Sequence, residues 1–355
     1  MDRAALSWPG ATLALVSAAL FGASTPFAKL LLGDVDPWLL AGLLYLGSGV
    51  GLAIVQCVRR PLGVGAAEAP LHRSDLRWLL LVVLAGGVIA PVLLMFGLAR
   101  TPAASAALLL NLEGVATMAI AWLVFRENVD RSILLGAVAI LAGAAVLSWQ
   151  GGPAGVGWGA ALIAGACLAW GIDNNLTRKF SGADPMQIAM VKGLVAGAAN
   201  LGLALMHGAA IPDLATLAGA GLIGLLGYGV SLTLFIQALR HLGTARTSAY
   251  FATAPFIGGA VAVALFGEPA TVRLLGAGVL MAAGIVIHLL EHHEHEHVHE
   301  PIVHEHAHVH DAHHQHAHAH GDPSGEPHVH THRHARLVHR HPHYPDLHHR
   351  HGHAD

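Results

Sequence analysis

The chain has 355 residues, 54% of them apolar and only 12% charged, with 29 histidines, two cysteines and a formal net charge of −3. Soluble domains carry about 25% charged residues, so this balance excludes an ordinary soluble enzyme and points to lipid. Cys57 and Cys167 each sit in an apolar run, which excludes a disulfide framework and a cysteine-based zinc site, and the scattered basic residues form no nucleic-acid surface.

From the N-terminus, apolar runs recur at about 11–32, 38–58, 78–99, 103–125, 132–149, 156–176, 186–206, 214–239, 247–267 and 271–290. Each approaches the ~18 or more residues that a ~30 Å hydrocarbon core requires of a helix. The expectation is an all-α integral membrane protein with ten transmembrane helices. The first run is too long for a signal-peptide core and passes at once into further spans, so it reads as an uncleaved first helix. Most of the 42 glycines lie inside these runs, where small residues let helices approach closely in lipid.

Charge placement sets an expected orientation. With the N-terminus in the cytoplasm, the inner segments carry Arg3, Arg59, Arg60, Arg73, Arg77, Arg126, Arg131, Arg178, Lys179, Arg240 and Arg246, whereas the outer loops carry only Lys29, Arg100 and Arg273. This asymmetry predicts both termini in the cytoplasm of a cell whose inner (plasma) membrane the chain spans.

The sequence also repeats. A shift of 141 residues places Glu127 on Glu268, Gly86 on Gly227 and Gly143 on Gly284; with a slightly different shift, Phe21-Gly22 meets Trp170-Gly171 and Asp36-Pro37 meets Asp184-Pro185. Five spans per half is an odd number, so the halves 1–149 and 150–290 are expected to lie inverted in the membrane, a recurring build of secondary transporters.

These residues carry a family resemblance. Ala103-Ala104-Ser105-Ala106-Ala107 leads to Phe125-Arg126-Glu127, then Gly136 and Gly143. Its counterpart runs from Gly243-Thr244-Ala245 through Ala254-Pro255 to Phe266-Gly267-Glu268 and Gly284. Together they resemble the twice-repeated EamA-type domain of the drug/metabolite transporter superfamily over about residues 10–290. The resemblance implies a ten-helix inverted-repeat carrier, often an exporter of amino acids or other small metabolites. Where the second half has Pro255, the first has Gly114 preceded by Glu113.

An ionisable group at mid-bilayer costs ~2.5–3.5 kcal/mol on insertion scales and is a functional candidate by default. Three occur: Glu113, with Asn111 nearby; Asp173, followed by Asn174 and Asn175; and Lys192. One reading is a structural pair, Lys192 with Glu113 or Asp173. The other gives Glu113, the deeper acid, or Asp173 a proton and a substrate in turn, because carboxylates in apolar cavities suit proton exchange. Trp170, Tyr228, Gln237 and Tyr250 are weaker candidates for lining a cavity. Pro26, Pro91, Pro255 and the glycines around Tyr228 loosen helix backbone. Glu127 and Glu268, at span ends, read as loop caps.

From Glu291 the composition changes: 25 of the 29 histidines follow, and residues 291–355 carry four Arg against ten Asp and Glu. Few apolar residues are available for burial, so the tail is expected to be disordered. His295, His297, His299, His304, His306, His308, His310, His316, His318, His320, His348, His349 and His351 are the candidate metal ligands, for imidazole suits Zn, Ni, Co and Cu.

The expected function is proton-coupled export of a small organic metabolite or drug-like solute, with a metal-binding tail and no cofactor needed for transport. The alternative is a divalent transition-metal transporter whose tail collects the ion. Expected partners are the lipid bilayer, the solute or ion, protons and, in a homodimer, a second copy. No motif for a nucleophile or a phosphate-binding loop suggests an enzyme.

Overall fold

A chain crossing lipid has to close its backbone hydrogen bonds within each segment, and up to Leu289 the described residues are mainly helical. The computed structural model describes residues 7–59, 71–125, 131–149, 156–177, 183–235, 237–238, 247, 250–289, 294–299, 303–308, 328–333 and 337–342. Glu127, Arg126, Arg178, Lys179, Arg240 and Arg246 fall outside them, as do His310, His316, His318, His320, His348, His349 and His351.

Among the described residues, helices fall within each of the ten apolar runs. They are α1 (Ser7–Leu31), α2 (Pro37–Arg59), α3 (Leu76–Val82), α4 (Ala90–Ala99), α5 (Ala103–Leu109), α6 (Leu112–Phe125), α7 (Arg131–Ser148), α8 (Trp158–Thr177), α9 (Pro185–Met206), α10 (Leu214–Gly224), α11 (Ala254–Phe266) and α12 (Val272–Leu289). Val83–Ile89 joins α3 to α4 as a π-helical turn, and Leu225–Val230 extends α10 in the same way. Seven of the resulting rods are long and apolar enough to cross a bilayer: Gly10–Leu31, Pro37–Arg59, Leu76–Ala99, Ala103–Phe125, Arg131–Ser148, Pro185–Met206 and Leu214–Phe235. The run 103–125 is broken at Leu110-Asn111, which places Glu113 in the first turn of α6 rather than in mid-helix.

The repeated Asp-Pro pairs are helix starts. Asp36 accepts hydrogen bonds from the backbone of Trp38 (2.9 Å) and Leu39 (3.1 Å), and Asp184 accepts from Met186 (2.9 Å). Each thereby satisfies donors with no intrahelical partner, while the following proline, lacking an N–H, fits the first helical position. Asp213 caps α10 through the Thr216 backbone (2.9 Å), and that bond lowers its carboxyl pKa. A depressed carboxylate supports the fold at higher pH and loses that contribution as pH falls through its folded value.

Helices from the two halves pack on one another: α2 on α9, α7 on α12, α1 on α11, and α6 on α8. Small residues set the crossings. A Cβ at Gly143 would meet Met281 Cγ at 2.7 Å and Ala277 O at 2.9 Å, and one at Gly284 would meet Gly136 O at 2.5 Å. Positions 136, 140 and 143 correspond to 277, 281 and 284 under the repeat shift, so the α7–α12 contact matches itself across the halves. Leu39, Leu40, Leu44, Leu94, Met95, Leu98, Leu109 and Ile163 fill the interior. Leu80, Leu123, Val124, Leu135, Val138 and Val279 stand exposed on the outside, an apolar jacket that only lipid can cover without cost.

Of the tail, for which disorder is expected, only 294–299, 303–308, 328–333 and 337–342 are described. Four short strands occur: β1 (Glu294–His299), β2 (Val303–His308), β3 (His328–Arg333) and β4 (Leu337–Pro342). They pair antiparallel as β1 with β4 and β2 with β3. Counting apolar residues overlooks the physical reason. Alternation of histidine with Val, Ala, Thr, Glu or Arg has the period of two that a pleated strand sorts onto two faces.

Candidate functional site

Pro91 organises the centre of the Leu76–Ala99 helix. It has no N–H, so neither the carbonyl four residues back (Gly87) nor the one five back (Gly86) receives a backbone bond from it. Side chains from three other helices supply the donors. Tyr45 Oη of α2 donates to Gly86 O (2.6 Å), Trp170 Nε1 of α8 donates to the same oxygen (3.0 Å), and Asn200 Nδ2 of α9 donates to Gly87 O (3.1 Å). The preceding π-helical turn is the local distortion that aims both carbonyls at these partners.

Asp173 lies directly against this turn. A Cβ at position 86 would fall inside its carboxylate, so only glycine admits it. Asp173 is 3% exposed and forms an ion pair with Lys192 of α9, while its Oδ1 accepts from Thr177 Oγ1 at 3.1 Å. Of the partners open to Lys192 from sequence, the structure selects Asp173.

Glu113 faces α8 by a separate route. Its Oε1 accepts from Asn174 Nδ2 at 3.0 Å, and the same amide reaches Thr117 Oγ1 at 3.2 Å. Asn175 Nδ2 donates to the carbonyls of Thr117 and Gly171, both at 2.9 Å. Glu113 is half-buried and Asn174 exposed, so this edge of the α6–α8 contact is open. The Oδ1 atoms of Asn175 and Asn200 are buried and have no donor among the described residues. Asn111 turns elsewhere: its amide donates to Leu108 O (2.9 Å) and meets Met281 Sδ (3.7 Å).

The counterpart π-helical turn, around Gly227, is aromatic. Tyr228 packs edge-on to Phe21 at 6.0 Å and tilted on Tyr45 at 5.6 Å, with Phe251 5.4 Å beyond Phe21 and Phe235 4.8 Å from Phe251. Gly227 lies against Ser24, which matches Asp173 in the repeat. One interface between the halves therefore carries Asp173, Lys192 and Glu113, and its pseudo-equivalent carries a hydroxyl and rings. Gln237 and Tyr250 are half-buried, and the Tyr250 carbonyl accepts from Thr253 Oγ1 at 2.6 Å. Tyr45, Thr117 and Asn200 had no sequence signal of their own, and Gly86 was marked only by its repeat match to Gly227; Pro91, four and five residues beyond the two glycines, was the further clue.

At one end of the bundle, Glu268 acts as the cap expected of it. Its carboxylate accepts from the backbone of Ala103 (2.7 Å) and Ala104 (3.0 Å), while Lys29 donates to Leu98 O (2.7 Å) and Thr101 O. Opposite charges thus bind both ends of the α4–α5 loop. Replacing Glu268 by Ala should cost about 1 kcal/mol, the usual value of a lost N-terminal cap, and lower the thermal unfolding midpoint of detergent-solubilised protein. An unchanged midpoint would deny the cap its structural weight.

Among the described residues up to Leu289, no three His, Cys, Asp or Glu side chains gather in metal-binding geometry.

Comparison with known proteins agrees with this architecture. The sequence matches the EamA-like transporter family over residues 8–149 and again over 157–290. An uncharacterised transporter of Methanothermobacter thermautotrophicus is 28% identical over 293 residues, 78% of this chain and 84% of the relative. A probable terminal-alkyne amino-acid exporter of Streptantibioticus cattleyicolor is 27% identical over 248 residues, 68% of this chain and 83% of the relative. A solved protein crystal structure shares the fold with a TM-score of 0.58 and 19% identity, covering 79% of this chain and 98% of its own. The family and the two relatives are named as transporters, not enzymes, and a multi-pass membrane protein meets the bilayer and a small substrate. With two family matches spanning nearly all of its helical part, the chain belongs to the EamA-like transporter family.

Proposed function

We propose that the chain exports a small amine-bearing organic solute, of the amino-acid kind, in exchange for protons across the inner (plasma) membrane. In this reading ten spans form two inverted five-helix repeats, 1–149 and 150–290, with both termini cytoplasmic. Residues 291–355 form a cytoplasmic arm that binds Zn, Ni, Co or Cu. The observation that carries the reading is the unequal use of the two acids. Asp173 is already paired with Lys192, whereas Glu113 is held by a neutral amide. With both acids ionised the three charges sum to −1, which a proton or an ammonium group neutralises, each in place of the other. The unpartnered acceptors of Asn175 and Asn200 favour a solute rich in N–H donors. The rings around Tyr228 offer its apolar part a surface.

Purified full-length protein in proteoliposomes tests this. Efflux of labelled amino acids should follow an imposed pH gradient and carry protons the other way. Equal flux after the gradient is collapsed would end the proton-exchange reading. Flux of Zn, Ni or Co in place of amines would make the ion the cargo.

A further inference from the structure

The strand register of the tail holds more order than metal collection by a loose chain requires. On β2 and β3 the partners are His304 with His332, His306 with His330, and His308 with His328. On β1 and β4 they are His295 with His341 and His297 with His339, and only His299 meets a different residue, Leu337. Both ladders pair with the same numerical offset, from Glu294–Pro342 to His299–Leu337 in one and from Val303–Arg333 to His308–His328 in the other. The outgoing histidines change from odd to even positions between His299 and His304. The returning ones make the matching change between His332 and His339, in the facing gap. Histidine therefore meets histidine on both sides of the gap.

Strand geometry gives this match a chemical meaning. Same-face neighbours along a strand are ~6.6 Å apart, and Cβ atoms directly opposite are ~4.5–5.5 Å apart. At ~2.0–2.1 Å per metal–nitrogen bond, opposed and diagonal imidazoles suit one ion.

We propose that the β2–β3 ladder is a transition-metal site. Its one face, bearing His304, His306, His308, His328, His330 and His332, supplies an all-imidazole donor set. The proposal rests on the metal-binding reading of the tail and adds that ligands are selected by face and register. Such a set takes Zn, Ni, Co or Cu and passes over Mg and Ca, which prefer oxygen ligands. Metal and strand pairing stabilise each other, as in other sites assembled on binding.

The test keeps composition constant. V329H, H330V, T331H and H332T together move two histidines to the other face, opposite Ala307 and Glu305. Adding H304E, E305H, H306A and A307H restores the pairing as 305 with 331 and 307 with 329. Zn and Ni affinities of the full chain in detergent are read by calorimetry at neutral pH. The four-substitution chain should bind about tenfold more weakly than wild type, and the eight-substitution chain should return to within about threefold. Equal affinity in wild type and the four-substitution chain overturns the ladder while leaving a metal-binding tail intact. Failure of the wild-type chain to bind Zn or Ni removes both.

Discussion

Glu113→Gln is expected to abolish solute flux while leaving the protein inserted and folded. The replacement keeps the carbonyl oxygen that accepts from Asn174, so the α6–α8 contact survives and stability should change by less than about 1 kcal/mol. What disappears is a group able to take up and release a proton. In exchange transport that step is obligatory, so flux should fall by about a hundredfold or more, the scale of losing a positioned proton-transfer group. Flux in proteoliposomes and unfolding in detergent, measured on the same preparation, separate the two effects. Wild-type flux in the variant would remove Glu113 from the coupling step.

The second large effect concerns Lys192. Lys192→Met leaves Asp173, 4% exposed by its side chain, as a buried charge without its cation, a situation that costs about 3–5 kcal/mol. Asp173→Asn should cost less, because the Lys192 side chain is 19% exposed and retains some hydration. Combining the two should recover most of the stability without restoring flux, since desolvating the pair offsets much of its attraction. Unfolding midpoints for the two single variants and the double variant give the coupling energy directly. Additive losses would mean that the pair acts as two independent groups.

Much of the scaffold was legible in sequence because lipid demands it. Long apolar runs, the Asp-Pro starts and the matching glycines each answer to one local rule, and helices occupy the places they indicate. Glu268 as a cap was readable from its place at a span end, but not its partners, the free N–H groups of Ala103 and Ala104 at the start of α5. The choice of Asp173 over Glu113 as partner of Lys192 was not readable, since both acids were compatible with the spacing. It depends on how α8 rotates against Gly86, a tertiary fact. Tyr45 and Asn200 were missed for the same reason. Their roles exist only because Pro91 frees carbonyls on a different helix, and a single hydroxyl or amide within an apolar run gives no sign of that. In the tail, composition pointed to disorder, and the strand period of the alternating histidines went unread; strands occur in the described residues.

The two carbonyls of Gly86 and Gly87 have a mechanical consequence. They are the terminals to which α2, α8 and α9, helices from both halves, are wired within one turn of a fourth. A tilt of α8 that withdraws Trp170 leaves Gly86 O to Tyr45 alone and shifts the load to α2. A slide of α9 draws on Gly87 through Asn200 and on Asp173 through Lys192 together. The distorted turn therefore ties helices of the two halves together through two adjacent peptide groups, so a displacement of either α8 or α9 would load the same joint.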